Sequence, residues 1–275
     1  MEYSGYKSVV LSDEELANFY TNKVMPVHIL ENEYLLIKNA NDEVIDKYVL
    51  QNGELRRVAF VKKIDNAYSG TVKPRNTEQE ILFDMLADSR STIKLVTGGF
   101  GCGKTFSLVV AALDAVNRGK FDKIVWVRNN VDVKDTVPLG ALPGDAFDKL
   151  LPFVMPLADH AGGVEGIKML LEHDQLEVVH LGYLRGRDIK NSIILCSEAE
   201  NLTKQHIQLL IGRVGEGSNL WMDADLKQRD KTVFEKSAGL ETMIDRLKGQ
   251  ELFGYVKLLK TERSKTARLA DLLDD

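Results

Sequence analysis

Cysteine is nearly absent. The 275 residues hold two, Cys102 and Cys196, and neither has a partner at metal-ligand spacing. That count argues against a disulfide-stapled scaffold and against a zinc site, and leaves two small buried thiols in a reducing compartment. Long hydrophobic runs are missing as well: the most apolar helix candidate, Leu108 to Val116, is interrupted by Asp114 and is too short to span a bilayer. The opening Met-Glu-Tyr-Ser lacks the basic and apolar regions of a signal peptide, so the expectation is a cytoplasmic protein with no membrane partner. Positive charge is not in excess. The formal net charge is −5, and contact with nucleic acid would have to come from a local patch. Five histidines are scattered without pattern, and there is no internal repeat or low-complexity segment. The remainder is 44% hydrophobic and 28% charged, enough for a main globular domain and a smaller one.

What the chain does have is concentrated in one stretch. Ile93-Lys-Leu-Val-Thr97 runs into Gly98, Gly99, Phe100, Gly101, Cys102, Gly103, Lys104 and Thr105, and Phe106 to Asn117 has helical composition. This is G-x-x-x-x-G-K-[ST] in the strand–loop–helix setting that its mechanism needs. Glycines let backbone N–H groups turn inward toward phosphate oxygens. Lys104 is expected to pair with the β- and γ-phosphates and Thr105 to hold Mg²⁺, with the helix N-terminus favouring the negative charge. A bound nucleoside triphosphate is the direct expectation.

Ahead of the loop the pattern is mostly β. Ser12 and Glu15, before Leu16, Phe19 and Tyr20, predict a capped amphipathic helix. His28 to Leu30, Tyr34 to Ile37, Val44 to Leu50 and Leu55 to Val61 read as strands, with Asn52-Gly53 as a hairpin turn. Residues 1–70 therefore form a small β-rich module, expected as a docking or oligomer-contact appendage, with Tyr68 to Pro74 as linker. Thr77 with Glu80 is a second capping-box match that opens a helix through Leu86. Beyond the loop, strands at Lys123 to Val127, Glu177 to Leu181, Asn191 to Cys196, Asn219 to Met222 and Tyr255 to Leu259 alternate with helices, notably Leu202 to Arg213 and Leu240 to Lys248. Such alternation implies an α/β fold whose mostly parallel central sheet is covered on both faces, with ligands at the strand C-terminal ends. Trp126 and Trp221 lie inside apolar strands and are expected in the core.

Ile193-Ile-Leu-Cys-Ser-Glu198 has the form of a second nucleotide motif. The usual version ends in Asp-Glu, the Asp serving the metal and the Glu orienting the attacking water. Here Ser197 takes the metal position and Glu198 the base position. A small-molecule kinase could use the same loop, but no segment reads as its lid or acceptor pocket.

With these motifs go others in a fixed order. Leu139-Gly-Ala-Leu-Pro-Gly-Asp145 is followed by Lys149, Pro152, Pro156 and Asp159, and Leu184-Arg-Gly-Arg187 by Ser197-Glu-Ala-Glu-Asn-Leu-Thr203 and Gln205. Arg213-Val-Gly-Glu-Gly-Ser218, Asp225-Leu-Lys-Gln228 and Ser237-Ala-Gly-Leu240 complete the series. Over residues of about 72 to 273 the chain resembles the PhoH-like ATPases, a family in turn similar to the nucleotide-binding core of superfamily 1 helicases. Longer members carry a further nuclease-like domain upstream, which has no counterpart in this sequence. The resemblance implies a RecA-like P-loop domain over residues 71–275. It also implies ATP and Mg²⁺ as ligands, single-stranded RNA or DNA as partner, and a ring of subunits, a hexamer by expectation.

The same resemblance supplies roles. Asn76-Thr-Glu-Gln79 looks like the glutamine motif, so Gln79 is expected to read adenine. Gln228 falls where helicases sense the γ-phosphate, and Arg263 is the candidate arginine finger, acting in its own or a neighbouring subunit. Arg128, Arg185, Arg187 and Arg213 are expected near one sheet edge, on nucleic-acid backbone. Three positions depart from the pattern: Ser197 for Asp, Glu200 for Gln and Ala224 for Gly. They mark a divergent member, of the kind encoded by mobile or viral genomes. They also leave a second reading open, a nucleotide-binding switch or assembly protein with degraded hydrolysis.

Overall fold

The N-terminal stretch builds a sheet of its own. Strands β1 (Tyr6–Val10), β2 (Tyr34–Lys38), β3 (Val44–Gln51) and β4 (Glu54–Arg57) lie in that order, β1 parallel to β2 and the others antiparallel. The computed structural model of the chain describes residues 2–22, 24–128, 146–226 and 239–262. Asn52 and Gly53 close the β3–β4 hairpin with φ of 53° and 76°, the pairing that a two-residue type I′ turn requires. Helix α1 (Asp13–Asn22) starts at the Ser12–Glu15 box, whose hydroxyl and carboxylate exchange bonds with the backbone. The stretch expected as a strand at His28 to Leu30 is irregular instead and enters a turn at Glu31 and Asn32, where Glu33 accepts the Leu30 N–H at 2.7 Å. The strand expected over Leu55 to Val61 ends at Arg57.

Period-two alternation in β2 shows why this module is more than an appendage. Leu35 and Ile37 face Leu11, Phe19, Ile29 and Tyr48 in a small core under α1. Tyr34 and Leu36, pointing the other way, join Val49 and Val58 in the main core of the molecule. The stretch expected as a linker is likewise ordered: it holds β6 (Gly70–Val72), which pairs with β5 (Ile64–Asn66) just ahead of it, and Val72 packs against the main core that contains Ile64.

Helix α2 (Thr77–Ala87) follows, capped by Asn76 and not by Thr77: Asn76 Oδ1 accepts the Gln79 N–H at 3.0 Å. Then come β7 (Ile93–Gly98), α3 (Lys104–Asn117), β8 (Lys123–Arg128), α4 (Ala146–Ala158), α5 (Gly163–Glu172) and β9 (Leu176–His180). Next are β10 (Ser192–Cys196), α6 (Lys204–Ile211), β11 (Asn219–Ala224), α7 (Gly239–Leu247) and β12 (Phe253–Leu258). The six strands from β7 onward make one all-parallel sheet in the order β12-β7-β11-β10-β8-β9. Both faces are covered, so its strands read as largely apolar runs. Ile193, Leu195, Trp126 and Trp221 point to the face carrying α2 and α3, while Ile194, Val125, Val127 and Met222 point to the face carrying α6 and α7. The two tryptophans are core residues, as expected; Trp126 also donates from Nε1 to Phe153 O of α4 at 3.0 Å.

One lysine breaks the apolar run. Lys94 on β7 is 1% exposed, 5.2 Å from the Trp221 ring centre, and donates to the end carbonyl Leu86 O of α2 at 3.0 Å. Burial lowers its pKa to about 7, against roughly 10.4 in the unfolded chain. Between those values the unfolded chain carries one proton more, so stability rises with pH across the window; below it both forms are charged and the full cost is present. Urea denaturation from pH 6.5 to 9.5 is expected to show wild type gaining on the order of a few kcal/mol relative to Lys94→Met. Parallel pH profiles for the two proteins would refute this.

Candidate nucleotide site

The loop joins the centre of the sheet to α3. Gly98 has to be glycine, since a Cβ there would lie 2.4 Å from Leu258 O and 2.8 Å from Cys102 Sγ. Gly103, at φ 87°, is the N-cap of α3 and offers no side chain to the first turn. The N–H groups of that turn are thus left for an external acceptor, at the positive end of the helix dipole. Lys104 Nζ lies within the loop, donating to Gly98 O at 2.7 Å and Gly99 O at 2.8 Å. Cys102 is buried, its thiol pKa raised by burial, and Sγ donates to Gly99 O at 3.0 Å. That is a packing role. Phe100 is the exposed tip, and beside it Gly101 O accepts the Glu262 N–H at 3.0 Å.

Gln79 comes to the loop from α2. Its Oε1 accepts the Arg75 N–H at 2.9 Å and its Nε2 donates to Cys102 O at 3.1 Å. One amide proton and one lone pair remain for a base edge, so the residue braces the loop at least as much as it can read adenine. Asn76 Nδ2 donates to Glu262 Oε1 at 2.7 Å, and Glu78 Oε2 accepts the Leu259 N–H at 2.7 Å. The segment after β12 is thereby bound along α2 and the loop. Arg263 follows Glu262 in sequence but lies outside the described residues, as do Gln228 and the Leu139 to Asp145 motif.

At the tips of β10 and β11 the structure adds a residue that the sequence reading passed over. Asp223 is 2% exposed. Its Oδ1 accepts the Ser197 hydroxyl at 3.3 Å and the Glu198 N–H at 3.2 Å. Burial raises its pKa, while the Glu198 N–H, the Thr105 hydroxyl and the Lys104 ammonium act the other way and favour the ionised form. Thr105 faces this carboxyl without closing a regular hydrogen bond, and Oδ2 is buried with no hydrogen-bond partner. Asp223 directly follows the apolar run Leu220 to Met222, as Ser197 directly follows Ile193 to Cys196. An apolar run ending in an acid was the available signal, missed because the strand was closed at Met222.

Glu198 is exposed and holds a left-handed backbone, φ 56° and ψ 46°, the kind of local strain that gathers at functional sites. Glu200 is half-buried, and its Oε2 accepts the Asp225 N–H at 3.1 Å. Burial first, then Asp223 and Glu198, push its pKa up. It ties the β10 tip to the β11 tip.

The four arginines do not share one edge. Arg128 ends β8 at the C-terminal side of the sheet, and its side chain is outside the described set. Arg185, exposed, follows the short helical turn after β9. Arg187 is paired with Glu177 at 2.6 Å, and Arg213 donates to Arg187 O at 3.1 Å. Those two sit where residues 189–191 bond to residues 213–216 just before β10 and β11 begin. That is the N-terminal edge, opposite the loop, because each parallel crossover must return there before the next strand starts. A cleft of about 920 Å³ beside Lys94, Arg118 and Lys120 opens at that edge too.

Mg²⁺ would find Thr105, Ser197 and the unpartnered Asp223 Oδ2 together here. Among the described residues no cluster of three or more His, Cys, Asp or Glu could hold a metal alone. That fits an ion bound by one or two protein oxygens plus phosphates. No helix among the described residues is long and apolar enough to cross a membrane.

A profile of the family described as PhoH-like protein matches residues 71–271. Protein PhoH2 of Bacillus subtilis (strain 168) is 33% identical, over 98% of this chain and 64% of its own. Protein PhoH2 of Thermobispora bispora is 32% identical, over 74% of this chain and 48% of its own. Protein PhoH of Escherichia coli (strain K12) is 26% identical, over 84% and 64%. The chain thus spans about half to just under two thirds of these relatives' length. Among solved structures, Pif1 helicase from Candida albicans overlaps 74% of this chain and 44% of its own at 16% identity, with a TM-score of 0.39. An overlap so loose carries no inference about function.

Proposed function

The chain belongs to the PhoH-like family, and from that premise we propose that it binds ATP with Mg²⁺ and hydrolyses it, in step with binding or remodelling single-stranded RNA or DNA. The observation that carries the proposal is the uncapped N-terminus of α3 behind a glycine loop, with Lys104 inside the loop and two strand tips bearing Asp223 and Glu198 beside it. Phosphoryl transfer asks a protein for positioning and charge neutralisation more than for covalent chemistry. Lys104 and the first-turn N–H groups would bind the phosphates, and Thr105 would hold the metal with Ser197 and Asp223 beside it. Bound Mg²⁺ would neutralise charge on the β- and γ-oxygens. Glu198, exposed on the β10 tip, would orient the attacking water. Gln228 would sense the γ-phosphate and Arg263 would neutralise developing charge, in the same subunit or in a neighbour of a hexameric ring. Of the arginines, Arg128 and Arg185 remain candidates for nucleic-acid backbone, since Arg187 is committed to Glu177.

The degraded-switch reading rests on Ser197 as a lost acid and on Glu200 in place of a glutamine. Asp223, bonded to Ser197, would offer a carboxylate from the neighbouring strand tip, and neither the family match nor the relatives favour a switch. The test is phosphate release from Mg-ATP with and without single-stranded RNA or DNA. Release should rise with nucleic acid and the stimulation should weaken as salt is raised. ATP binding without release, or a phosphorylated acceptor in place of free phosphate, would overturn the proposal.

A further inference from the structure

The strand expected to end in an acid ends in Ser197, and an acid stands at the tip of the next strand. β10 and β11 run parallel with Cys196 opposite Met222, so the following residues, Ser197 and Asp223, are neighbours at the same height. Parity sets their direction. Residue 197 alternates with Ile193 and Leu195, and residue 223 with Trp221, all on the α2/α3 face. Both side chains therefore face the helix that opens with Lys104 and Thr105. β11 also adjoins β7, the strand that feeds the loop, whereas β10 is one strand further away. Within this arrangement Ser197 Oγ and the Glu198 N–H converge on Asp223 Oδ1 at 3.3 and 3.2 Å. Oδ2, on a side chain 2% exposed, closes no regular hydrogen bond within the protein, the Thr105 hydroxyl being a neighbouring group that favours its ionised form. A buried carboxylate oxygen left unpaired is costly, and native proteins keep one mainly where a ligand meets it.

We infer that Asp223 stands in for the strand-end acid absent from β10 and is the carboxylate on which the Mg²⁺ of a bound nucleotide depends in this chain. The inference rests on the ATP-binding proposal above. It also accounts for the serine. An aspartate at 197 would set two carboxylates side by side and remove the hydroxyl that donates to Asp223. The acid and the serine are a matched exchange across two neighbouring strands, in which the metal-side charge is kept while its strand of origin changes.

The test measures affinity for a non-hydrolysable ATP analogue with Mg²⁺ and with chelator, together with the unfolding midpoint of the nucleotide-free protein. Asp223→Asn keeps the shape and an oxygen acceptor for Ser197 and the Glu198 N–H. Its gain in affinity from Mg²⁺ should shrink by about tenfold or more, with chelator affinity unchanged or stronger and the midpoint unchanged or raised. The exchange variant, Ser197→Asp with Asp223→Ser, should recover most of the Mg²⁺ gain. Asp223→Asn with the full Mg²⁺ gain, or with a marked fall in midpoint and no selective Mg²⁺ effect, would overturn the inference and leave Asp223 a structural acid. If Asp223→Asn does not fold, the exchange variant decides alone: retained Mg²⁺ gain supports the inference and its loss overturns it. Wild type that fails to bind the analogue in either condition would instead refute the ATP proposal, a separately readable result.

Discussion

Lys104→Ala is expected to reduce phosphate release from Mg-ATP to background, a loss of about two to three orders of magnitude or more. Its ammonium sits in the loop on two carbonyls, Gly98 O and Gly99 O, and charged triphosphate oxygens are stronger acceptors than either. The same substitution removes two partly buried hydrogen bonds, so the folded state should lose only about 1–2 kcal/mol. The two readouts must therefore separate. Measured side by side, a variant with near-native urea stability and no turnover supports a phosphate-binding lysine. Turnover surviving in a folded Lys104→Ala protein would refute the role of the loop. A loss of turnover that merely tracks unfolding would place Lys104 among structural residues.

The second large effect concerns stability. Asp84 of α2, 3% exposed, accepts the Tyr34 hydroxyl at 3.0 Å and pairs with Arg56. Those partners come from β2 and β4, so one carboxylate binds the N-terminal sheet to the helix that also carries Gln79. Breaking a buried pair by removing one member costs roughly 3–5 kcal/mol. Arg56 is 40% exposed and can return to water, so Asp84→Ala is expected near the lower end, about 3 kcal/mol, with Asp84→Asn milder because it can still accept from Tyr34. Urea unfolding should stay a single transition in wild type, since Tyr34, Leu36 and Val49 belong to the main core. An early separate transition of the module, unchanged by Asp84→Ala, would show that residues 1–70 are an appendage after all.

Local signals carried much of this molecule. Gly98 to Thr105 identifies the phosphate loop from sequence because the requirement is local: glycine backbone at set positions, then a lysine and a hydroxyl at the start of a helix. The strands from β7 to β12 were legible for a similar reason, since burial on both faces leaves apolar runs whatever their neighbours are. The Ser12 box and the Asn52-Gly53 turn are likewise written within four residues.

What tertiary structure alone decided was which tips and edges come together. Sequence cannot place β11 between β7 and β10, because neighbours in a parallel sheet are chosen by crossovers and not by adjacent residues. Ser197 therefore read as a missing acid until β11 set Asp223 beside it. Arg187 and Arg213 read as partners of Arg128 until the crossovers carried them to the opposite edge. The linker at Tyr68 to Pro74 read as a boundary, yet β6 within it pairs with β5, and its Val72 packs against the core that holds Ile64. The loop's chemistry was a property of eight consecutive residues; the acid beside it depends on two strands whose tips are 26 positions apart, and only folding brings them within a hydrogen bond.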